Sequence, residues 1–162
     1  MSVLAAVDEF VVPLELVEQT LEPLQEAGSR GYEGFVLWGG TIADGGKSFE
    51  FASAFFPAQT TSRGEEGLLV VVDGDALFRA NRAFYERGHV LAGQVHSHPA
   101  DAYHSSTDDD FPLMTLVGGI SAVVPNFGAA GSDGLEDWAW YRLVDTGEWV
   151  PVGSETRLRF VG

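Results

Sequence analysis

The sequence predicts a single α/β (α+β) domain over residues 1–162, in which a mixed β-sheet packs against two or three helices. The length suits one domain, and a hydrophobic content of 45% supplies its core. Two segments have the apolar spacing of amphipathic helices. Short β-branched and aromatic runs, bounded by turn residues, lie between and after them. No internal repeat or linker interrupts this pattern.

The first helix is predicted over Pro13–Ala27, whose leucines and valine recur at three- and four-residue intervals. Pro13 suits a first turn and Gly28 a C-terminal stop, whereas Pro23 is expected to kink or shorten the last turn. The second helix is predicted to begin at Asp75, as its N-cap, and to run to about Arg87.

Strands are predicted where β-branched and aromatic residues concentrate, and turn residues join two pairs of them into antiparallel hairpins. The segment 58–67 is polar without periodicity and is predicted as a loop. A short helix is expected around residues 108–115. The predicted strands are Glu33–Gly40, Ser48–Phe56, Leu68–Val72, Val90–Val95, Ile120–Val124, Trp138–Val144, Trp149–Val152 and Arg157–Val161.

The two predicted hairpins are defined by their turns. Asp44-Gly45-Gly46 joins Glu33–Gly40 to Ser48–Phe56, and Asp145-Thr146-Gly147 joins Trp138–Val144, the sixth predicted strand, to the seventh, Trp149–Val152. These are the two strand pairs that the sequence alone predicts as antiparallel neighbours.

The composition excludes several classes of function. The chain has 24 acidic and 9 basic residues, a net charge of −15, so it repels phosphate backbones and no nucleic-acid partner is expected. This charge suits a basic partner or solubility equally well. There are no cysteines, which excludes a thiolate nucleophile and a cysteine-based zinc site. No apolar run approaches the roughly 18 residues of a membrane span, and a basic N-terminal region is missing, so a cytoplasmic protein without a membrane partner is expected.

One stretch carries ligand chemistry, the end of the strand Val90–Val95 and the loop after it. His96 and His98 are two residues apart, and side chains alternate in an extended strand, so both imidazoles point the same way. A Ser-x-x-Asp pattern, Ser106 to Asp109, follows after seven intervening residues. Two imidazoles and a nearby carboxylate can bind one metal ion.

A catalytic zinc ion needs three protein ligands and one open position. His96, His98 and one carboxylate of the triplet 108–110 supply such a set. Glu33 is a candidate general base, because it begins a predicted buried strand in which a charge is otherwise costly. The hydroxyl of Ser106 is a candidate donor to the oxyanion of a tetrahedral intermediate.

Taken together, Glu33, the run His96-Ser97-His98-Pro99 and Ser106-x-x-Asp109 resemble the JAMM motif of the MPN (JAB) metallopeptidases. The resemblance covers residues 33–127 and implies an MPN/JAB-like, cytidine-deaminase-like fold with a zinc cofactor. It also implies roles for the residues: His96, His98 and Asp109 are the ligands, Glu33 activates water, and Ser106 supports the oxyanion.

The same resemblance implies a reaction and partners. Members of the family hydrolyse isopeptide or peptide bonds at the C-terminus of ubiquitin or a ubiquitin-like protein, in deconjugation or in precursor processing. The short chain resembles bacterial members, some of which accompany ubiquitin-like conjugation systems. The implied partners are a ubiquitin-like protein or its conjugate, together with the activating and conjugating enzymes of such a system.

Two alternatives stay open at the level of sequence. Ser105-x-x-Asp108 satisfies the same pattern with a spacer one residue shorter, so Asp108 competes with Asp109 as the third ligand. MPN domains also serve as non-catalytic scaffolds in complexes, although such scaffolds generally lack the ligands. His104, in the loop, competes as a further candidate ligand, although a surface role is expected for it.

Overall fold

A computed structural model describes residues 2–64, 67–104 and 116–162. Two α-helices lie in these ranges, α1 (Leu14–Ser29) and α2 (Gly74–Glu86). The same ranges contain ten strands. They are β1 (Glu9–Pro13), β2 (Phe35–Ala43), β3 (Ser48–Phe55), β4 (Thr60–Gly64), β5 (Gly67–Val71), β6 (Val90–Ser97), β7 (Ile120–Val124), β8 (Ala139–Leu143), β9 (Trp149–Pro151) and β10 (Arg157–Val161).

Eight strands form one mixed sheet in the order β10-β1-β3-β2-β6-β7-β8-β9. The pairs β1–β10, β1–β3 and β6–β7 are parallel, and the other neighbours are antiparallel. Strands β4 and β5 form a separate two-stranded sheet. The predicted fold class, a mixed sheet flanked by helices, is confirmed, as are the antiparallel pairs β2–β3 and β8–β9.

Helix α1 covers one face of the sheet with the main apolar core. The polar exception is Thr20, whose buried hydroxyl donates to the carbonyl of Leu16 (2.8 Å) and accepts from Nε1 of Trp38 (2.7 Å). This pair satisfies the indole N–H, which would otherwise be costly to bury. The apolar stripe of α1 consists of Leu16, Val17, Leu21, Leu24 and Ala27.

Helix α2 covers part of the opposite face. Its Ala80 and Phe84 pack on Leu37 in a second apolar cluster. The neighbours of Leu37 along β2, Val36 and Trp38, belong to the α1 core. Since side chains alternate along a strand, α1 and α2 lie on opposite sides of β2.

The N-cap of α2 differs from the sequence prediction. The helix begins at Gly74, and Oδ1 of Asp73 accepts from the backbone N–H of Ala76 at 2.8 Å. Asp75 lies inside the first turn, where its charge complements the helix dipole without making this bond. The predicted cap was therefore wrong by two residues, because both aspartates suit a helix start.

A β-bulge decides which face of the sheet the end of β6 presents. Trp38 pairs with Gly93, but the next residue of β2, Gly39, pairs with Leu91, so Ala92 is an extra residue in β6. The bulge shifts the alternation by one position. As a result Leu91 lies in the α2 cluster and His96 points to that same face.

Other predictions need correction. The strand β1 was not predicted, and Pro13 ends it instead of standing in the first helical turn. Helix α1 continues through Pro23 to Ser29, because its buried face packs on both sides of the proline. Part of the segment 58–67, predicted as a loop, forms β4 and pairs with β5. The helix expected at 108–115 lies outside the described residues.

Candidate metal centre

The two motif histidines meet at the end of β6. His96 is fully buried and His98 is 5% exposed. Their Nε2 atoms lie 3.2 Å apart. Two nitrogens that bind one zinc ion at about 2.0–2.1 Å in a tetrahedral arrangement lie about 3.3 Å apart, so this spacing suits a shared ion.

The surroundings of the two rings fix their orientation. Nδ1 of His98 lies 3.3 Å from the carbonyl oxygen of Asp101. A carbonyl can only accept, so Nδ1 carries the hydrogen and Nε2 of the neutral ring presents a lone pair toward His96. The ring of His96 stacks on Phe35, with centroids 4.8 Å apart and planes at 23°. Such contacts typically set the tautomer and plane of metal-binding histidines.

The backbone after β6 is held by the segment after β7. The N–H of His98 donates to the carbonyl of Val124, and the carbonyl of His98 accepts from Phe127, both at 2.8 Å. Asn126 and Phe127 adopt left-handed conformations, with φ of 54° and 55°. Such strain costs about 1–3 kcal/mol per residue and concentrates at functional sites. The strained turn therefore anchors the histidine loop.

Glu33 lies two residues before β2 and is half-buried, not inside a buried strand as predicted. Phe35 pairs with His96, and the N–H of Ser97 donates to the carbonyl of Gly34 (3.1 Å). Glu33 directly precedes Gly34, whose bonds to Ser97 lie between the two histidines in the chain. The strand pairing thus connects the segment after Glu33 to the strand that carries the imidazole pair.

The described residues contain only part of the predicted ligand set. Within 2–64, 67–104 and 116–162 no group of three or more His, Asp or Glu side chains is placed to hold a metal ion. The predicted third ligand and oxyanion donor lie outside these ranges; they are Ser105, Ser106, Asp108 and Asp109. The His96–His98 pair fits two positions of a metal centre by its spacing and tautomer.

His104, for which a surface role is expected, is half-buried beside this centre. Its Nε2 lies 2.8 Å from Oγ of Ser121, and its ring packs against Tyr141 and Trp149 with centroids 4.7 and 5.4 Å apart. Its ring centroid is 5.9 Å from that of His96. These residues are far apart in the sequence, so no local pattern predicts their contact. They meet because β6, β7, β8 and β9 are neighbours in the sheet.

His89 and two of the tryptophans have structural contacts. Nδ1 of His89 lies 2.7 Å from Oγ of Ser53, away from the imidazole pair. Trp138 is buried in the core, and Trp140 packs against that core with its ring 6.1 Å from Trp38.

Arg142, outside the centre, has a shifted pKa. Burial lowers the pKa of Arg142, against the opposing effects of Glu155 and Asp8, which raise it. The guanidinium ties the N-terminal segment to the sheet. Its four acceptors are the carbonyls of Leu4, Val7 and Gly118 and the hydroxyl of Thr156.

No protein-family model matches the chain. A curated protein of Sinorhizobium fredii, the probable metalloprotease y4jG, is 37% identical over 161 residues, which cover 99% of this chain and 98% of the relative. The chain belongs to this probable metalloprotease family. Membership implies a metal-dependent hydrolase, and the imidazole pair supplies two metal ligands of the expected kind.

A solved structure supports the fold. The solution structure of a Salinibacter ruber protein matches this chain with a TM-score of 0.58, covering 92% of this chain and 90% of that one, at 18% identity. At this identity the likeness concerns the fold alone. In the part of the chain that the structure describes, no helix is long and apolar enough to cross a membrane.

Proposed function

We propose that the protein is a zinc-dependent hydrolase of isopeptide or peptide bonds, of the JAMM type. The observation that carries the proposal is the 3.2 Å spacing of Nε2 in the buried His96 and His98, with the lone pair of His98 directed at its neighbour. Membership in a probable metalloprotease family supports the hydrolytic role. The pairing of Phe35, two residues after Glu33, with His96 supports Glu33 as the base.

The proposed mechanism assigns each side chain one task. A zinc ion bound there would lower the pKa of a water molecule to about 7 and polarise the scissile carbonyl. His96, His98 and Asp109 would hold the ion. Glu33 would accept the proton of the attacking water and pass it to the leaving amine. The hydroxyl of Ser106 would donate a hydrogen bond to the oxyanion.

We propose a ubiquitin-like protein or its conjugate as the substrate, cleaved after its C-terminal tail. The resemblance of Glu33, the His96–His98 pair and Ser106-x-x-Asp109 to the JAMM motif is the support for this substrate class. Deconjugation and precursor processing both break the same kind of acyl–amine bond. The activating and conjugating enzymes as partners, and a cytoplasmic location, remain predictions.

The first test measures metal binding. Purified protein should contain close to one equivalent of zinc by mass spectrometry, and His96→Ala should abolish tight binding. His89→Ala is the matched control, since this imidazole bonds to Ser53 away from the centre and should leave zinc content unchanged. Zinc-free wild-type protein that also cannot be loaded would contradict the proposal and favour the scaffold alternative.

The second test separates binding from chemistry. Glu33→Gln keeps the size of the side chain but cannot accept the proton, so zinc content should stay and cleavage of a ubiquitin fusion should fall by about 10²–10⁴-fold. The measurement is the initial rate of cleavage by zinc-loaded protein. Full activity of the variant would remove Glu33 from its proposed role.

The third test decides the register of the loop. Asp109→Ala should lose zinc while Asp108→Ala retains it, because Asp109 has the spacer of the JAMM motif. Competition with a chelator compares the two zinc affinities directly. The opposite result would assign the ligand role to Asp108 and, with it, the oxyanion role to Ser105.

A further inference from the structure

We propose that Gln59 is a positioning residue for Glu33; the inference rests on the proposed role of Glu33 as the base. Gln59 lies just before β4, far from Glu33 in the chain and outside the motif. Its carboxamide nevertheless binds the backbone of Phe35, two residues after Glu33. By fixing this backbone, Gln59 would hold the carboxylate at the distance from the metal centre that proton transfer requires.

The side chain of Gln59 bonds to the β2 backbone at a point where β3 no longer pairs with it. Pairing of β2 with β3 reaches Leu37 opposite Phe55 and does not extend to Phe35. Oε1 of Gln59 accepts from the N–H of Phe35 at 2.9 Å, and its Nε2 donates to the carbonyl of Phe35 at 3.0 Å. The same Nε2 donates to the carbonyl of Pro57 at 2.8 Å, which anchors the side chain itself.

The opposite edge of this segment is also held. Oγ of Ser97 accepts from the N–H of Gly34 at 3.0 Å, and the N–H of Ser97 donates to the carbonyl of Gly34 at 3.1 Å. Gly34 and Phe35 are thus fixed from both sides, by Ser97 next to the histidines and by Gln59 on the other edge. Glycine has wide backbone freedom, so a segment with Gly34 next to the base needs such restraint.

The chemistry of the contact requires a carboxamide. Gln presents a donor and an acceptor side by side, as a strand backbone does, whereas Glu can only accept and Leu does neither. Gln59→Glu should therefore keep the bond to the N–H of Phe35 and lose the two donated bonds, and Gln59→Leu should lose all three. A graded series of this kind distinguishes the hydrogen bonds from the volume of the side chain.

The experiment uses the zinc-loaded full chain and a linear fusion of ubiquitin to a reporter protein. Gln59→Leu should lower kcat by roughly 10–100-fold, the effect of about 1 Å of misplacement, with KM and zinc affinity unchanged. Gln59→Glu should lie between Gln59→Leu and wild type. Ser53→Ala is the control, because it removes one hydrogen bond, to His89, away from Phe35 and should leave kcat unchanged.

Two further readouts make the result decisive. Amide exchange should be faster at Gly34 and Phe35 in Gln59→Leu and unchanged along β6. In the Glu33→Gln background the Gln59 substitutions should have no further effect on the residual rate, because the group that Gln59 positions is already absent. An additional loss in that background, or a parallel loss of zinc, would overturn the inference.

The outcomes also separate this inference from the proposed function. If Glu33→Gln retains activity, the assignment of the base fails whatever Gln59 does. If Glu33→Gln is inactive and both Gln59 variants keep wild-type kcat, the base stands and the positioning role is overturned. If Gln59→Leu does not fold, Gln59→Glu decides the question alone, since it preserves the volume and one of the bonds.

Discussion

The two faces of the eight-stranded sheet differ in what they bury. Under α1 the core is almost wholly aliphatic and aromatic, and its polar exception, Thr20, is bonded to Trp38. The face that carries α2 buries polar side chains beside its small apolar cluster: Gln94, His96 and Ser121 are each at most 1% exposed. Stability and chemistry are thus divided between the two faces.

The difference shows how a domain of this size tolerates a metal centre. Buried polar groups cost free energy unless they are bonded, and an imidazole pair adds little hydrophobic stabilisation. The α1 face offsets this cost, because each fully buried Leu or Phe contributes about 1.5–3 kcal/mol. Substitutions on the two faces should therefore have separable effects, on stability under α1 and on metal binding at His96.

The largest stability effect is expected from Leu24→Ala on the α1 face. Leu24 is fully buried, so the cavity should lower the free energy of unfolding by about 2–5 kcal/mol. Zinc affinity of the folded protein should remain that of wild type, in contrast to His96→Ala. Urea unfolding of the apoprotein and chelator competition measure the two quantities. A matching loss of zinc affinity would show that the faces are not independent.

A smaller effect is expected at the polar pair of the same face. Thr20→Val preserves the shape but leaves Nε1 of Trp38 buried without its acceptor, which should cost about 1–3 kcal/mol. Thr20→Ser keeps the hydroxyl and should cost less. Chemical denaturation compares the two variants, and equal stabilities would mean that this hydrogen bond contributes nothing net.

The smallest effect concerns the start of α2. Asp73→Ala removes the capping bond to Ala76 and should cost about 1 kcal/mol, whereas Asp75→Ala should cost no more than a few tenths. Thermal unfolding of both variants tests the difference. A larger loss of stability for Asp75→Ala than for Asp73→Ala would support Asp75 as the N-cap, as the sequence alone predicts.

Local patterns predicted most of the elements but not all. Helix α1 and the hairpins β2–β3 and β8–β9 follow from periodicity and turn residues, which act over a few neighbours. Strand β1 was not predicted from the sequence. It pairs in parallel with β3 and β10, and such pairing connects residues far apart in the chain. Strand β4 and its pairing with β5 were not predicted, because the polar segment before β5 has no strand pattern.

The sequence by itself determined the chemistry of the candidate site: His96 and His98 share a face because side chains alternate along a strand. It also predicted Glu33 as the general base, but it did not predict the contacts that hold the backbone after Glu33. Only the tertiary structure decided which face receives the imidazoles, through the bulge at Ala92, and which side chains surround them, including His104 and Gln59. Register and bulges depend on pairing between distant strands, and a local pattern carries no information about that pairing.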